Sequence, residues 1–149
     1  MRYFLDTEYN GWGGALLSLA LVPDDGEELY LTLDWSGSLE QWVERNVVPY
    51  LDTVPESLVS PRLSRADAAR ALSHYLAGDP QPLIVADWPE DIAYLSALLV
   101  TGPGEMVEVP GLTLQFMPLA GFSTAANSKV PHNALHDARS LRDHVLGLE

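Results

Sequence analysis

Two acidic residues stand two positions apart near the N-terminus, in the segment Phe4-Leu5-Asp6-Thr7-Glu8. The apolar and aromatic residues before them favour a buried strand. Because side chains alternate along a strand, Asp6 and Glu8 share one face. They stand at the carboxyl end of the predicted strand, just before a glycine-rich turn, where open sheets place their binding sites. A buried carboxylate needs a partner, so this pair is a candidate cation site.

Acidic residues also follow a second predicted buried strand, Leu83-Ile84-Val85-Ala86. Asp87 comes directly after this strand, and Asp91 falls in the first turn of a helix that starts at Pro89. A carboxylate there can serve a site. It can equally stabilise the helix dipole, and the spacing does not separate these two roles.

The third group joins a histidine to an aspartate five positions later, in the segment 132–137. His132 ends a polar loop over 121–131, and Asp137 lies in the first turns of the last predicted helix, so His132 can reach into a cleft. His74 and Asp79 have the same spacing at a helix end, and we interpret that pair as structural. His136 is expected on the helix surface, where it is a minor candidate for contact with the site.

The elements that must position these residues follow the order β-β-β-α-α-β-α-β-α. Turn residues separate the first three strands, which predicts an antiparallel meander. Ser38 is expected to cap the first helix, with Trp42 on its apolar side. The pattern predicts an α/β protein in which helices flank a mixed sheet, and the length predicts one domain over 1–149. Strands are predicted at 1–8, 15–22, 29–33, 82–86 and 112–116, and helices at 38–48, 64–76, 89–100 and 133–148.

The composition excludes several classes of site. The chain has no cysteine, which rules out disulfides, thiolate zinc sites and cysteine nucleophiles and fits a reducing compartment. No apolar run is long enough to span a membrane and no basic leader is present, so we expect a cytoplasmic protein without a membrane anchor. The formal net charge of −13 argues, taken alone, against a nucleic-acid partner.

The order of the three groups nevertheless resembles the DEDD superfamily of 3′–5′ exonucleases, in its histidine-containing DEDDh branch, over essentially the whole chain. Residues 4–8, 83–95 and 132–138 carry the resemblance, and the last segment is the most specific. The small size and the segment Asp87-Trp88-Pro89-Glu90-Asp91 resemble the compact, mycobacterial-type bacterial exoribonuclease group. The family often has His-Asn-x-x-Phe-Asp there. The interval from the strand favours Asp91 as the metal ligand, with Asp87, or both acids, as the alternative.

This resemblance implies a ribonuclease H-like fold and a metal-dependent 3′–5′ exoribonuclease that acts at an RNA 3′ end. It implies two Mg²⁺ or Mn²⁺ ions, for which carboxylate oxygens are suitable ligands, and a histidine general base. The expected metal ligands are Asp6, Glu8, Asp91 and Asp137, and the expected base is His132. Two divalent cations would offset part of the acidity at the place where a phosphate must bind. We therefore expect the protein to bind the end of an RNA strand through local contacts and not through long-range attraction. The preference for RNA over DNA rests on the resemblance alone.

The sequence indicates the residues that would contact the substrate less clearly than it indicates the acidic groups. Trp12, in a glycine-flanked turn, can stack on a base or close the sheet edge as a wedge, and Trp88 can line the cleft or pack. Arg62 and Lys129 are the best candidates for phosphate contacts. Arg65 and Arg70 are further candidates for which a solvated helix face is the alternative. Trp35 and Trp42 would suit a homodimer interface, but core packing explains them equally well.

Two other functions stay open on the sequence. A hydrolase of very short oligonucleotides needs few phosphate contacts, which suits a chain with only eight lysines and arginines. A catalytically inactive acidic module of the same fold that binds a protein is the other alternative, although the complete set of acids and His132 weighs against it.

Overall fold

The computed structural model describes residues 1–149, in which five principal strands and three long helices supply most of the core. None of the helices combines the length and the apolar surface that crossing a membrane requires. The strands are β1 (Arg2–Tyr9), β2 (Leu16–Pro23), β3 (Leu29–Thr32), β4 (Leu83–Ala86), β5 (Val100–Gly102), β6 (Glu105–Met106) and β7 (Thr113–Phe116), and the helices are α1 (Gln41–Asn46), α2 (Arg65–Leu76), α3 (Pro89–Leu99), α4 (Thr124–Asn127) and α5 (Ala134–Leu148).

The sheet is mixed, with strand order β3-β2-β1-β4-β7. β1 pairs antiparallel with β2, and β2 with β3, which confirms the predicted meander. β4 runs parallel to β1, and β7 runs parallel to β4. The α/β class with a helix-flanked mixed sheet is therefore confirmed, and the central strand β1 is the one that carries Asp6 and Glu8.

Helices cover both faces of this sheet, and the alternation of β1 decides which residue meets which helix. Leu5 packs in a cluster with Leu72 of α2 and Leu95 of α3. Phe4 packs in a separate cluster with Leu141 of α5. Since side chains two positions apart on a strand share a face, Asp6 and Glu8 lie on the α5 side and Thr7 on the α3 side.

The first helix differs from its prediction. α1 spans six residues, Gln41–Asn46, and Ser38 does not cap it. Asn10 instead holds the residue before the helix, because its Oδ1 accepts a hydrogen bond of 2.7 Å from the backbone nitrogen of Glu40. Pro49 follows in a short 3₁₀ turn, where its missing N–H cannot continue an α-helix. Trp42, predicted on the apolar side, is 53% exposed.

Two small elements were not predicted. β5 and β6 form a hairpin of three-residue and two-residue strands, too short to show an alternating pattern. α4 is a single turn inside the segment predicted as a loop, and the Ser123 side chain caps it by accepting a hydrogen bond from the Ala126 nitrogen. The helices predicted at 64–76, 89–100 and 133–148 are present to within one residue at each end.

Candidate functional site

A cleft of about 580 Å³ opens where β1 and β4 end and α5 begins. It contains all the residues of the three acidic groups identified in the sequence, and no lysine or arginine lines it. Two like charges about 4 Å apart repel by roughly 4 kcal/mol at the effective dielectric near a protein surface, so such a cleft calls for cations. The carboxylates that line it are Asp6, Glu8, Glu40, Asp87, Glu90, Asp91 and Asp137.

Asp6 and Glu8 project from the central strand, opposite Ala20 and Ser18 of β2. Asp6 is only 8% exposed, and its Oδ2 atom has no hydrogen-bond partner. Burial, followed by the charges of neighbouring carboxylates with Asp91 first among them, raises the pKa of Asp6 well above its usual value. Burial and the charges of Asp137 and Asp91 raise the pKa of Glu8 to about 8.

Asp91 reaches the cleft from the first turn of α3, and β1 holds it there. The backbone nitrogen and the hydroxyl of Thr7 donate to its Oδ1 at 3.1 and 2.6 Å. Burial raises the pKa of Asp91 to about 7, although the hydrogen bonds from Thr7 oppose the rise. Asp87 also lines the cleft but is less deeply buried, and burial raises its pKa too. The structure thus brings both acids of the second group to the site.

The third group is held by an unusual backbone at the start of α5. His132 has φ of +64°, a left-handed conformation that is uncommon outside glycine and is found at functional sites. Its backbone nitrogen donates to Asp137 Oδ2 at 3.2 Å. Asn133 caps α5 and is anchored in turn, because its Nδ2 donates to the Tyr50 carbonyl at 2.8 Å. The ring of His132 meets Trp42 edge-on, with the ring centroids 4.9 Å apart.

Several of the polar atoms in the cleft are of the kind that can hold a cation. Asp6 Oδ2 and Asp137 Oδ1 are buried carboxylate oxygens without a partner, and a bound cation is one way to compensate such atoms. One ligand atom each of Glu8, His132 and Asp137 lie within 4.8 Å of one another. A set dominated by carboxylate oxygens suits Mg²⁺ or Mn²⁺. Burial raises the pKa of Asp137 to about 6, which is the expected state of such an acid when no cation balances it.

Aromatic side chains stand around the mouth of the cleft. Trp12 is 92% exposed, so it does not close the sheet edge as a wedge. Its turn is nevertheless well defined, because Gly14 packs so closely on the backbone of Asn10 that a Cβ atom would lie 1.7 Å from the Asn10 oxygen. Trp88 also lines the cleft, and its indole N–H donates to Glu90 at 3.1 Å. Both tryptophans are therefore placed where a base could stack.

The predicted arginine contacts lie elsewhere. The Arg62 guanidinium forms a two-pronged pair with Asp52, with N–O distances of 2.7 and 3.2 Å, and does not line the cleft. Arg65 donates to the Ala97 carbonyl, and Arg70 pairs with Asp67 on its own helix. Lys129 lies outside the cleft in a neighbouring depression that His132 also lines. These positions depend on how helices and loops pack, which the spacing of basic residues does not reveal.

His136 does not contact the cleft. Its Nε2 lies 2.9 Å from the Thr53 carbonyl oxygen, on another side of α5. Sequence reasoning missed Thr7, which holds Asp91, and assigned Trp42, which contacts His132, only to the core or to an interface. Phe122 lines the cleft as well and stacks on His144 at a centroid distance of 3.8 Å. The one available signal for Thr7 was its position between two acids on a strand. Because side chains alternate, its hydroxyl points to the opposite face of the sheet from Asp6 and Glu8.

Replacing Thr7 by valine is expected to weaken divalent-cation binding by about 10–100-fold, the usual effect of removing a hydrogen bond that orients a metal ligand. The valine keeps the shape of the side chain but removes the 2.6 Å donor to Asp91. Isothermal titration with Mn²⁺ measures the effect. Thr113→Val, at an exposed position of β7, is the matched control and should bind as the wild type does. Equal affinities for Thr7→Val and the wild type would show that the Thr7 hydroxyl does not orient a metal ligand.

Stability without metal is expected to fall as the pH rises. A carboxyl whose pKa is raised by folding holds its proton more tightly in the folded state, so its stabilisation is complete below the unfolded pKa near 4 and is lost through the folded pKa. For Asp137, Asp91 and Glu8 the folded pKa values are about 6, 7 and 8. Between pH 5.5 and 8.5 the free energy of unfolding in EDTA should therefore fall by several kcal/mol.

Thermal melts in EDTA, with and without excess Mg²⁺, measure this fall. Glu8→Gln should flatten it, because the group with the highest of the three pKa values is removed. Asp25→Asn, in an exposed turn, should keep the wild-type slope. Mg²⁺ should restore more stability at pH 8.5 than at 5.5. A stability in EDTA that is constant or rises over this range would contradict the burial of uncompensated carboxylates.

No protein-family model matches this chain, and comparison with the curated proteins also finds no match. The residues of the cleft and the resemblance of its three motifs are therefore the basis for a proposed function.

Proposed function

We propose that this protein is a metal-dependent 3′–5′ exoribonuclease of the DEDDh type, with a ribonuclease H-like fold. The observation that supports it most is the convergence of acids from three distant segments, with His132, in one cleft without a basic side chain. Asp6 Oδ2 and Asp137 Oδ1, both buried and unpartnered, come from opposite ends of the chain and are left without compensation by the protein itself. Folding does not favour such atoms, so a cation that binds them is the simplest reason for their presence.

Asp6, Glu8, Asp91 and Asp137 would hold the cations, and Asp87 is close enough to the cleft to contribute. When bound, two divalent cations stabilise the negative charge that develops on a phosphodiester and lower the pKa of a bound water. The protein's own task is to keep the ligands in place. Thr7 does so for Asp91, and the His132 backbone nitrogen does so for Asp137.

His132 is the proposed general base. It takes a proton from the attacking water as the water oxygen bonds to phosphorus and the bond from phosphorus to the 3′ oxygen of the preceding nucleotide breaks. The leaving oxygen is protonated, a 5′-mononucleotide is released and the strand keeps a 3′ hydroxyl. The contact with Trp42 restricts the His132 ring on one side. Positioning of this kind is what a base in a loop requires.

The terminal nucleotide is proposed to stack on the aromatic side chains that are exposed at the cleft. Stacking on an aromatic side chain contributes about 1–3 kcal/mol per base and does not depend on which base is bound. Trp12 and Trp88, both exposed at the cleft, are the side chains for this contact. This arrangement needs no long-range attraction to a polyanion, which agrees with a net charge of −13.

Metal titration with RNA labelled at either end tests the proposal. Stepwise shortening from the 3′ end, dependent on Mg²⁺ or Mn²⁺ and abolished by EDTA, is the expected result. The same experiment with DNA of equal sequence tests the preference for RNA. Absence of metal-dependent cleavage of any nucleic acid would overturn the proposal and favour an inactive acidic module that binds a protein.

A second candidate is a hydrolase specific for very short oligonucleotides. It is favoured by the absence of lysine and arginine from the cleft itself, where only the terminal nucleotides would bind. Substrates of two to about eight nucleotides separate the two candidates. A rate that peaks at dinucleotides and falls with length supports the second.

A further inference from the structure

A polar depression along α5, on the side where His136 lies, gathers three of the chain's eight lysines and arginines: Lys129, Arg139 and Arg142. It has a volume of about 280 Å³, and no hydrophobic residue lines it. Glu28 and Asp143 are the only carboxylates among its lining residues, so positive side chains outnumber negative ones there. In a chain with a net charge of −13, this local excess is the exception.

The ion pairs within the depression leave positive charge available. Arg139 binds Glu28 with N–O distances of 2.7 and 3.0 Å, which occupies that carboxylate. Arg142 lies 3.8 Å from Glu28 and pairs with Asp143, whose side chain is 66% exposed. Lys129 makes no ion pair at all. Lys129 is thus the unpaired cation of the depression, and Arg142 is the arginine whose nearest carboxylate, that of Asp143, is largely exposed and can give way to a further anion.

Lys129 also links the depression to the cleft. Lys129 and His132 both line a second depression, and His132 also lines the cleft. The two residues are three positions apart along the chain, so their Cα atoms are at most about 11 Å apart. Among the other residues around the cleft, Glu40 and Glu90 would repel a phosphate. The direction past His132 is therefore the electrostatically favourable one for a strand that leaves the cleft.

We propose that Lys129 and Arg142 bind a backbone phosphate of the substrate strand upstream of the nucleotides held in the cleft. This inference rests on the proposed nuclease function and specifies its substrate as a strand of several nucleotides. Charge-assisted hydrogen bonds from guanidinium and ammonium groups are the usual way to bind a phosphate. Arg139 assists by neutralising Glu28, which would otherwise repel the ligand.

Kinetics as a function of substrate length test this site. The double variant Lys129→Gln/Arg142→Gln is expected to lower kcat/KM on an RNA of about eight nucleotides by about tenfold, and to change it less than about twofold on a dinucleotide. The slope of log affinity against log salt for the longer RNA should shrink by about one for each phosphate that is no longer neutralised. Arg142→Gln alone, remote from His132 in sequence, should show part of the effect. Arg70→Gln, an exposed arginine on α2, is the matched control and should behave as the wild type does.

A second experiment distinguishes failure of the phosphate site from failure of the proposed nuclease function. It measures binding of the same RNA, carrying a fluorescent label, by anisotropy in EDTA with inorganic phosphate as competitor. If cleavage is normal but the double variant matches the wild type on the longer RNA, the phosphate site is wrong and the nuclease stands. If the wild type cleaves nothing, yet RNA binding is weakened in the double variant, the site stands and the proposed function fails. Loss of inorganic phosphate binding without any effect on RNA would overturn the inference in favour of a free-phosphate ligand.

Discussion

The variant Asp6→Asn is expected to lose metal-dependent cleavage by about 10³-fold or more and to bind Mn²⁺ far more weakly than the wild type. Asp6 is buried on the central strand, and its free Oδ2 is one of two buried carboxylate oxygens in the cleft without a partner. An amide keeps the size of the side chain but removes the negative charge that a cation needs. A 10³-fold loss of rate corresponds to about 4 kcal/mol of transition-state stabilisation, which one ligand of a metal site can supply.

The same substitution should stabilise the protein in EDTA. Burial and neighbouring carboxylates raise the pKa of Asp6 well above its usual value, so the charged form destabilises the folded state near neutral pH. The neutral amide removes that destabilisation, and thermal melts at pH 8 should show a higher Tm for the variant. Asp25→Asn, in the exposed turn after β2, controls for a general change of charge and should alter neither activity nor metal binding. A fully active Asp6→Asn would refute the proposed metal site.

The variant His132→Ala is expected to lower turnover by about 10²–10⁴-fold, the usual contribution of a positioned general base. Metal affinity should change little, because the backbone nitrogen that holds Asp137 remains in place. Measuring kcat and Mn²⁺ affinity on the same preparation separates the two roles open to this side chain. Glu8, His132 and Asp137 lie close enough together for His132 to be a ligand instead, and in that case metal affinity would fall together with the rate.

His74→Ala is the matched control for this experiment. His74 precedes Asp79 by the same five positions, but it is exposed near the end of α2 and does not line the cleft. It should keep wild-type activity and metal affinity. Near-wild-type rates for His132→Ala would show that another group accepts the proton, and the base would then have to be sought among the cleft carboxylates.

Much of the site could be predicted because local rules place its residues. The alternation of β1 puts Asp6 and Glu8 on one face, Pro89 starts the helix that carries Asp91, and Asn133 caps the helix that carries Asp137. Each of these signals acts over a few residues, so the sequence contains all the information needed. Turn residues between the first three strands likewise predict the meander.

The surroundings of Arg62 and Trp42 could not be predicted in the same way. Arg62 carries the charge that a phosphate contact needs, yet it pairs with Asp52, which follows α1 in the chain. Trp42 had the spacing of a core residue but lies half exposed, with its ring edge-on to His132. Each of these outcomes depends on residues far apart in the chain.

Backbone geometry and capping are local, so the amino-acid order alone indicates which acids and which histidine stand at the ends of which strands and helices. It does not indicate that these residues share one cleft without a basic side chain, that Thr7 holds Asp91, or that three basic side chains gather in a depression along α5. Charge balance and hydrogen-bond partners belong to neighbours in space, and the packing of the helices on the two faces of the sheet chooses those neighbours.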